Sequence, residues 1–244
     1  MTTISDSEDP IRAARMDAVN KTARVLAHEI ANYLGSIRTM LYLLADEVGA
    51  DPRAKEDLEV VVRTVDGAKK LVDALRGFAH APMLGTGPAD LNEVLRDAEP
   101  ALQATMPAGK ELVLAPAPEP LVVTAEPTRL AQLVGGLVAG ANRNLPVAGR
   151  IDVSTGRVRR TGGGFMARLV VRDDGPGLEP DRAARIFEPF VFDIAHDTGL
   201  RLPTIYATVT RSGGAMTAES APGAGTTIRV LLPLAPARPG EATR

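Results

Sequence analysis

The sequence predicts an α+β chain in two parts. An N-terminal two-helix hairpin pairs with a second copy as a dimeric four-helix bundle, and an α/β sandwich follows, one sheet with helices on one face. Three observations predict it. The first third keeps an apolar repeat with alternating steps of three and four. Residues 81–89 (APMLGTGPA) are rich in Pro and Gly and read as a linker. Beyond them, short strand-like runs alternate with helical ones.

The first repeat runs Met16, Val19, Ala23, Leu26, Ile30, Tyr33, Ile37, Met40, Leu44, a heptad seam. Gly49 ends it. Asp51-Pro52 restarts the chain in the order of an N-cap and a first helical residue. A second seam follows at Leu58, Val61, Val65, Ala68, Val72, Leu75 and Ala79. One hairpin leaves an apolar stripe uncovered, and two hairpins bury it, hence a homodimer; a later helix of the same chain is the alternative cover. After the linker, helices are expected at Asp90–Leu102, Thr128–Leu145 and Leu202–Arg211. Strands are expected at Glu111–Leu114, Leu121–Thr124, Ile151–Val158 and Phe165–Arg172, with a closing hairpin of Ala215–Glu219 and Thr226–Leu232. The domains are then a disordered 1–10, the hairpin at 11–80, the linker at 81–89, the sandwich at 90–234 and a disordered tail at 235–244.

Bulk properties exclude several functions. A length of 244 residues suits one large or two modest domains, at ~100–200 residues each. The net charge of −2 argues against nucleic acid, whose phosphates are held by excess Lys and Arg. With no cysteine, disulfides and thiolate chemistry are excluded. His28, His80 and His196 are the only histidines, too scattered for an obvious zinc site. The polar start, MTTISDSEDP, is no secretory signal, and no apolar run reaches the ~18 residues of a membrane span. No membrane insertion and a cytoplasmic location are the expectation.

With Ile30 at a and Leu26 at d, His28 takes position f, the most solvent-facing. Asn32 lies one turn on along the same face, and Glu29 is adjacent at g. A neutral imidazole there has a free nitrogen to act as a nucleophile, although an exposed helical histidine by default does nothing. The local string decides more. LAHEIANYLGSI (Leu26 to Ile37) resembles the phosphoacceptor box of two-component sensor histidine kinases, His-Glu-x-x-Asn-x-Leu. The resemblance implies that His28 takes a phosphoryl group. It implies that Glu29 accepts the other imidazole N–H as a general base. It also implies that Asn32 positions water to hydrolyse a partner's aspartyl phosphate. Tyr33 stands where many members have a helix-kinking Pro.

The second part resembles that family's ATP-binding domain. VVRDDGPGL (Val170 to Leu178) resembles the first glycine box. Asp173 would accept the adenine amino group, and Gly175 and Gly177 would let the backbone approach the base. RIFEPF (Arg185 to Phe190), PGAGTTIRVLLP (Pro222 to Pro233) and ADLNEVLRDAEPAL (Ala89 to Leu102) resemble the phenylalanine box, the closing hairpin and the opening helix. ATP and Mg²⁺ are the cofactors thereby implied.

Two elements depart from the family. RLAQLVGGLVAGANRNLP (Arg129 to Pro146) aligns with the asparagine box, yet both asparagine positions are glycine, Gly136 and Gly140. The second normally holds Mg²⁺, and glycine offers no side-chain oxygen. Asn144 lies one turn on, and Arg143 sits where a phosphate-contacting cation often lies. The second glycine box reads Asp197-Thr198-Gly199-Leu200-Arg201-Leu202: Gly199 remains, while Asp197 and Arg201 replace glycines that expose N–H groups to phosphate. The resemblance therefore implies a phosphorelay protein with a degenerate ATP-binding domain. It would carry phosphate on His28 and exchange it with an aspartate of a response regulator receiver domain. It would act as a histidine phosphotransferase, with an upstream kinase as a further partner, or as a divergent ATP-dependent autokinase. A non-catalytic dimeric adaptor is the alternative from another class.

Overall fold

The computed structural model describes residues 10–47, 51–160, 163–191 and 199–236. The expectations for residues 1–9, for Gly49, for Asp197 and Thr198, for the tail from 237, and for the side chains of Met16, Val19 and Ala23 fall outside what is described. The chain divides into two compact units with a boundary between Ala81 and Pro82. Each is described by itself.

The helical unit is α1 (Pro10–Glu47) and α2 (Pro52–Ala79). Asp51 caps α2: its carboxylate accepts the Arg53 N–H at 3.0 Å, and Pro52 fills the first turn, where no N–H is needed. On α1, Ala27 and Leu41 are buried and Ala31 and Leu34 half-buried, a stripe in steps of four and three. On α2, Val65 and Val72 are buried. Arg38 pairs with Asp66 across the hairpin at 3.7 Å, a half-exposed contact of little energetic weight. The longer heptad stripe, Leu26, Ile30, Tyr33, Ile37, Met40 and Leu44, is exposed throughout, to 70% at Tyr33. It runs beside the buried stripe, displaced by about one residue, so one hairpin cannot cover both.

In the sheet unit, five strands lie in the order β2-β4-β5-β7-β6: β2 (Lys110–Ala115), β4 (Gly149–Arg159), β5 (Phe165–Asp173), β6 (Ala215–Ser220) and β7 (Thr226–Pro233). Strand β2 is parallel to β4, and the other neighbours are antiparallel. Helices α3 (Leu91–Ala104), α4 (Pro127–Asn144) and α6 (Arg201–Arg211) pack against the sheet. The strand period of two sends Ile151, Val153, Leu169, Val171, Ile228 and Val230 into one core with Leu95, Leu133 and Leu137.

Two elements were not legible in the sequence: β1 (Pro88–Asp90) and the short α5 (Pro180–Ala184). Strand β1 pairs with β3 (Val122–Thr124). The stretch read as a linker is docked rather than loose. Leu84 is buried in the core; its N–H donates to Ser212 Oγ at 2.9 Å, and its carbonyl accepts the Glu126 N–H at 2.7 Å. Pro and Gly here signal turns, and Gly85 (φ +111) makes one tight against Glu126. One buried polar side chain fixes the far edge: Asn92 donates to the Ala117 and Glu119 carbonyls and accepts from the Thr155 hydroxyl, so its burial is fully compensated.

Candidate functional site

The first candidate site lies on α1. His28, Glu29 and Asn32 are all exposed. His28 and Asn32 share one side of the helix, one turn apart. It is neither the side that carries Ala27 and Leu41 nor the side of the apolar stripe. Glu29, the next residue in sequence, points elsewhere, as adjacent helical residues do, and no hydrogen bond links His28 to either neighbour among the described residues.

The second is built where β5 ends. Asp173 is buried to 4% exposure. Its Oδ1 accepts the N–H groups of Gly175 at 3.0 Å and Thr226 at 3.2 Å, which leaves Oδ2 without a partner among the described residues. Burial pushes this carboxyl above the usual carboxylate range, against the lowering effect of the two N–H donors; the nearby Asp174 adds to the rise.

The loop after Asp173 is clamped on several sides. Asp174 accepts the Arg150 N–H at 2.7 Å. The Pro176 carbonyl accepts the Gly223 N–H at 2.7 Å, and Ser220 Oγ accepts the Leu178 N–H at 2.9 Å while donating to the Gly225 carbonyl. Gly177 and Gly225 both have positive φ, +68 and +76. A Cβ on Gly177 would collide with the Ala221 carbonyl, and one on Gly225 with the Asp173 carbonyl. Of these residues, Asp174 and Ser220 were missed by sequence reasoning, because their partners lie 24 and 42 positions away.

The wall beside the loop is the end of α4. The Asn144 carbonyl lies 3.2 Å from where a Cβ on Gly175 would be, so Asn144 is adjacent to the loop, with its side chain exposed. Arg143 is exposed at the last turn. Gly136 abuts α6: a Cβ there would come within 2.9 Å of Ile205 Cδ1. Around Gly140 there is open space, with nothing within 4 Å of a Cβ. Asn142 faces the other way, donating to the Thr105 carbonyl and accepting from Lys110 Nζ. Gly199 has φ +65 and is buried, and Arg201 opens α6, half-buried. Phe187 stacks on Tyr206 with ring centroids 5.0 Å apart.

Comparison with known proteins gives the family. Residues 125–236 match the family described as histidine kinase-, DNA gyrase B-, and HSP90-like ATPase. The chain is 31% identical to the sensor histidine kinase ZraS of Klebsiella oxytoca, over 93% of this chain and 48% of that protein. It is 30% identical to the sensory histidine kinase/phosphatase NtrB of Rhodobacter capsulatus, over 96% of this chain and 69% of that protein. The chain belongs to the sensor histidine kinase family. It spans about half the length of the Klebsiella relative. Among solved structures, full-length ShkA in complex with AMPPNP is similar with a TM-score of 0.64 at 26% identity, over 89% of this chain and 46% of that one. The mycobacterial sensor histidine kinase MprB matches with a TM-score of 0.51 at 26% identity, over 60% of this chain.

Within this histidine kinase fold, the described residues around position 140 do not make a magnesium site, and the neighbouring Asn144 offers a single exposed amide oxygen. Gly140 offers no oxygen, Asn142 is engaged on the far side of α4, and among the described residues no group of three or more His, Asp or Glu side chains could hold a metal.

The raised Asp173 carboxyl has a stability consequence. A carboxyl whose folded value lies above its unfolded one favours folding below the unfolded value and loses that contribution as pH rises through the folded value. Asp173→Asn keeps an oxygen for the two N–H donors and removes the charge. Urea denaturation is expected to show the variant gaining on the wild type between acidic and neutral pH, and losing nothing at neutral pH. Parallel stability curves would show that burying this carboxylate is compensated in full.

Proposed function

We propose that this chain is a phosphocarrier of a two-component relay, holding phosphate on His28 and exchanging it with an aspartate of a response regulator receiver domain. The observation that carries the reading is the exposure of His28 beside Asn32, on a side of α1 used neither by the hairpin interior nor by the apolar stripe. A receiver can approach there without disturbing either packing surface.

The chemistry balances with groups on this helix. A neutral imidazole nitrogen attacks the phosphorus of an aspartyl phosphate. The P–N bond forms, the P–O bond to the aspartate breaks, and the aspartate leaves as a carboxylate. The other ring N–H then carries an acidic proton, and Glu29 takes it as the adjacent base after a side-chain rotation. The reverse reaction phosphorylates the regulator. Asn32 would orient water against the aspartyl phosphate; the name of the Rhodobacter relative, a kinase/phosphatase, supports such a role. The exposed stripe from Leu26 to Leu44 would be covered by a second copy, giving a homodimeric four-helix bundle.

The sheet unit would bind an adenine nucleotide, with Asp173 accepting the adenine amino group and Gly175 and Gly177 lying against the base. The likeness to an AMPPNP complex supports this. That likeness also favours a second reading, a divergent autokinase. We prefer the phosphotransferase, because position 140 supplies no metal ligand and ATP phosphoryl transfer is mostly positioning and charge neutralisation. Arg143 and Asn144 would line the phosphate side.

Incubation with a labelled phosphorylated receiver, and separately with labelled ATP, tests the choice. Label is expected on His28 from the receiver only. Label from ATP would establish the autokinase; label from neither would remove the phosphocarrier.

A further inference from the structure

We infer that the pocket at Asp173 takes adenine compounds without a divalent cation, reading the base rather than the triphosphate, and that Gly140 is the residue that makes it so. This rests on the proposed adenine site and goes one step further, to the class of ligand.

Three observations carry it. The base end is built: Asp173 is buried, its Oδ1 is held by two N–H donors, and its Oδ2 remains to accept an exocyclic amine. The glycines at 177 and 225 keep the surrounding loops in a contact no side chain would permit. The metal end is not built. Gly140 has open space where an oxygen ligand belongs, and Asn142 is tied to Lys110 and Thr105. Without a metal ion, Arg143 sets a single positive charge against the several negative ones of a triphosphate, so the added phosphates contribute little to affinity.

The two glycines of α4 are not equivalent, and this makes the inference testable. A Cβ at 136 would come within 2.9 Å of Ile205 Cδ1, whereas one at 140 meets nothing within 4 Å. Gly140→Asn therefore restores an oxygen on a Cβ that meets no neighbour. Gly140→Ala adds the same Cβ without the oxygen.

The experiment is calorimetric titration of the full chain with adenosine, ADP and ATP, each in EDTA and in Mg²⁺. For the wild type, the affinities of ADP and ATP are expected to agree within about threefold with and without Mg²⁺, and adenosine is expected to bind comparably. Gly140→Asn is expected to tighten ATP binding by about tenfold in Mg²⁺ only, the lower end of what one metal-supporting side chain contributes. Gly140→Ala is expected not to gain that dependence. Tenfold tightening by Mg²⁺ in the wild type would overturn the inference and leave the adenine site standing. Cation-insensitive binding in both wild type and Gly140→Asn would overturn the role given to position 140. Failure of the wild type to bind all three compounds would overturn the adenine site and this inference together.

Discussion

His28→Ala is expected to reduce phosphoryl uptake from a phosphorylated receiver to background. The nucleophile is a single ring nitrogen, and among the described residues no other histidine lies on that face of α1; His80 ends α2 with its ring on the Arg76 carbonyl. The fold should tolerate the change. His28 is exposed and makes no hydrogen bond among the described residues, and Ala is a better helix former than His by roughly half a kcal/mol. Circular dichroism and oligomeric mass should match the wild type while the label disappears. Persistent acid-labile, base-stable label on the variant would move the phosphate to another residue and end the case for His28. Loss of label with loss of helix would instead mean that the residue is structural, and Asn32→Ala would then separate the roles by affecting dephosphorylation of the receiver alone.

Gly225→Ala is expected to destabilise the sheet unit by about 3–5 kcal/mol, the range of the most damaging single substitutions. Two effects add. The residue sits at φ +76, where a Cβ costs about 1–2 kcal/mol, and that Cβ would collide with the Asp173 carbonyl. The collision partner is ladder backbone, since Asp173 pairs with Thr226 where β5 ends and β7 begins, so it cannot swing aside as a side chain would. Gly223 is the internal control. It has φ +75 but nothing within 4 Å of a Cβ, so Gly223→Ala should show only the conformational part, about 1–2 kcal/mol. Chemical denaturation of the two variants measures the difference. Equal losses would mean that the Asp173 carbonyl yields, and that the Gly225 contact is not what positions the carboxylate.

Much of the candidate site was legible because its signals are local. The seam from Leu26 to Leu44 is a property of consecutive residues, and its period alone placed His28 on the exposed side. The strand Val170–Asp173 followed by Gly175 and Gly177 was legible for the same reason: alternation and glycine positions are read within ten residues. The Asp51-Pro52 start of α2 is of this kind too. The Glu29 role was harder to read, because a chemical partner named by a motif is one position away in sequence, yet on a helix adjacent side chains diverge.

What the sequence determined by itself, then, was period, punctuation and the presence or absence of an atom: a two-part chain, an exposed His28, a carboxylate at the end of β5, and a missing oxygen at position 140. The tertiary structure decided which of these positions meet. Gly136 and Gly140 look alike in the string, one turn apart on the same helix. Only the packing of α6 distinguishes them, because Ile205 fills the space beside one and leaves the other open. Leu84 reads as a linker residue and becomes core because Ser212 and Glu126, far along the chain, satisfy its backbone. Helical and strand periods follow from the geometry of neighbouring residues, so they can be read in order; contacts across 69 or 128 positions depend on how whole elements stack, and no local pattern carries that information.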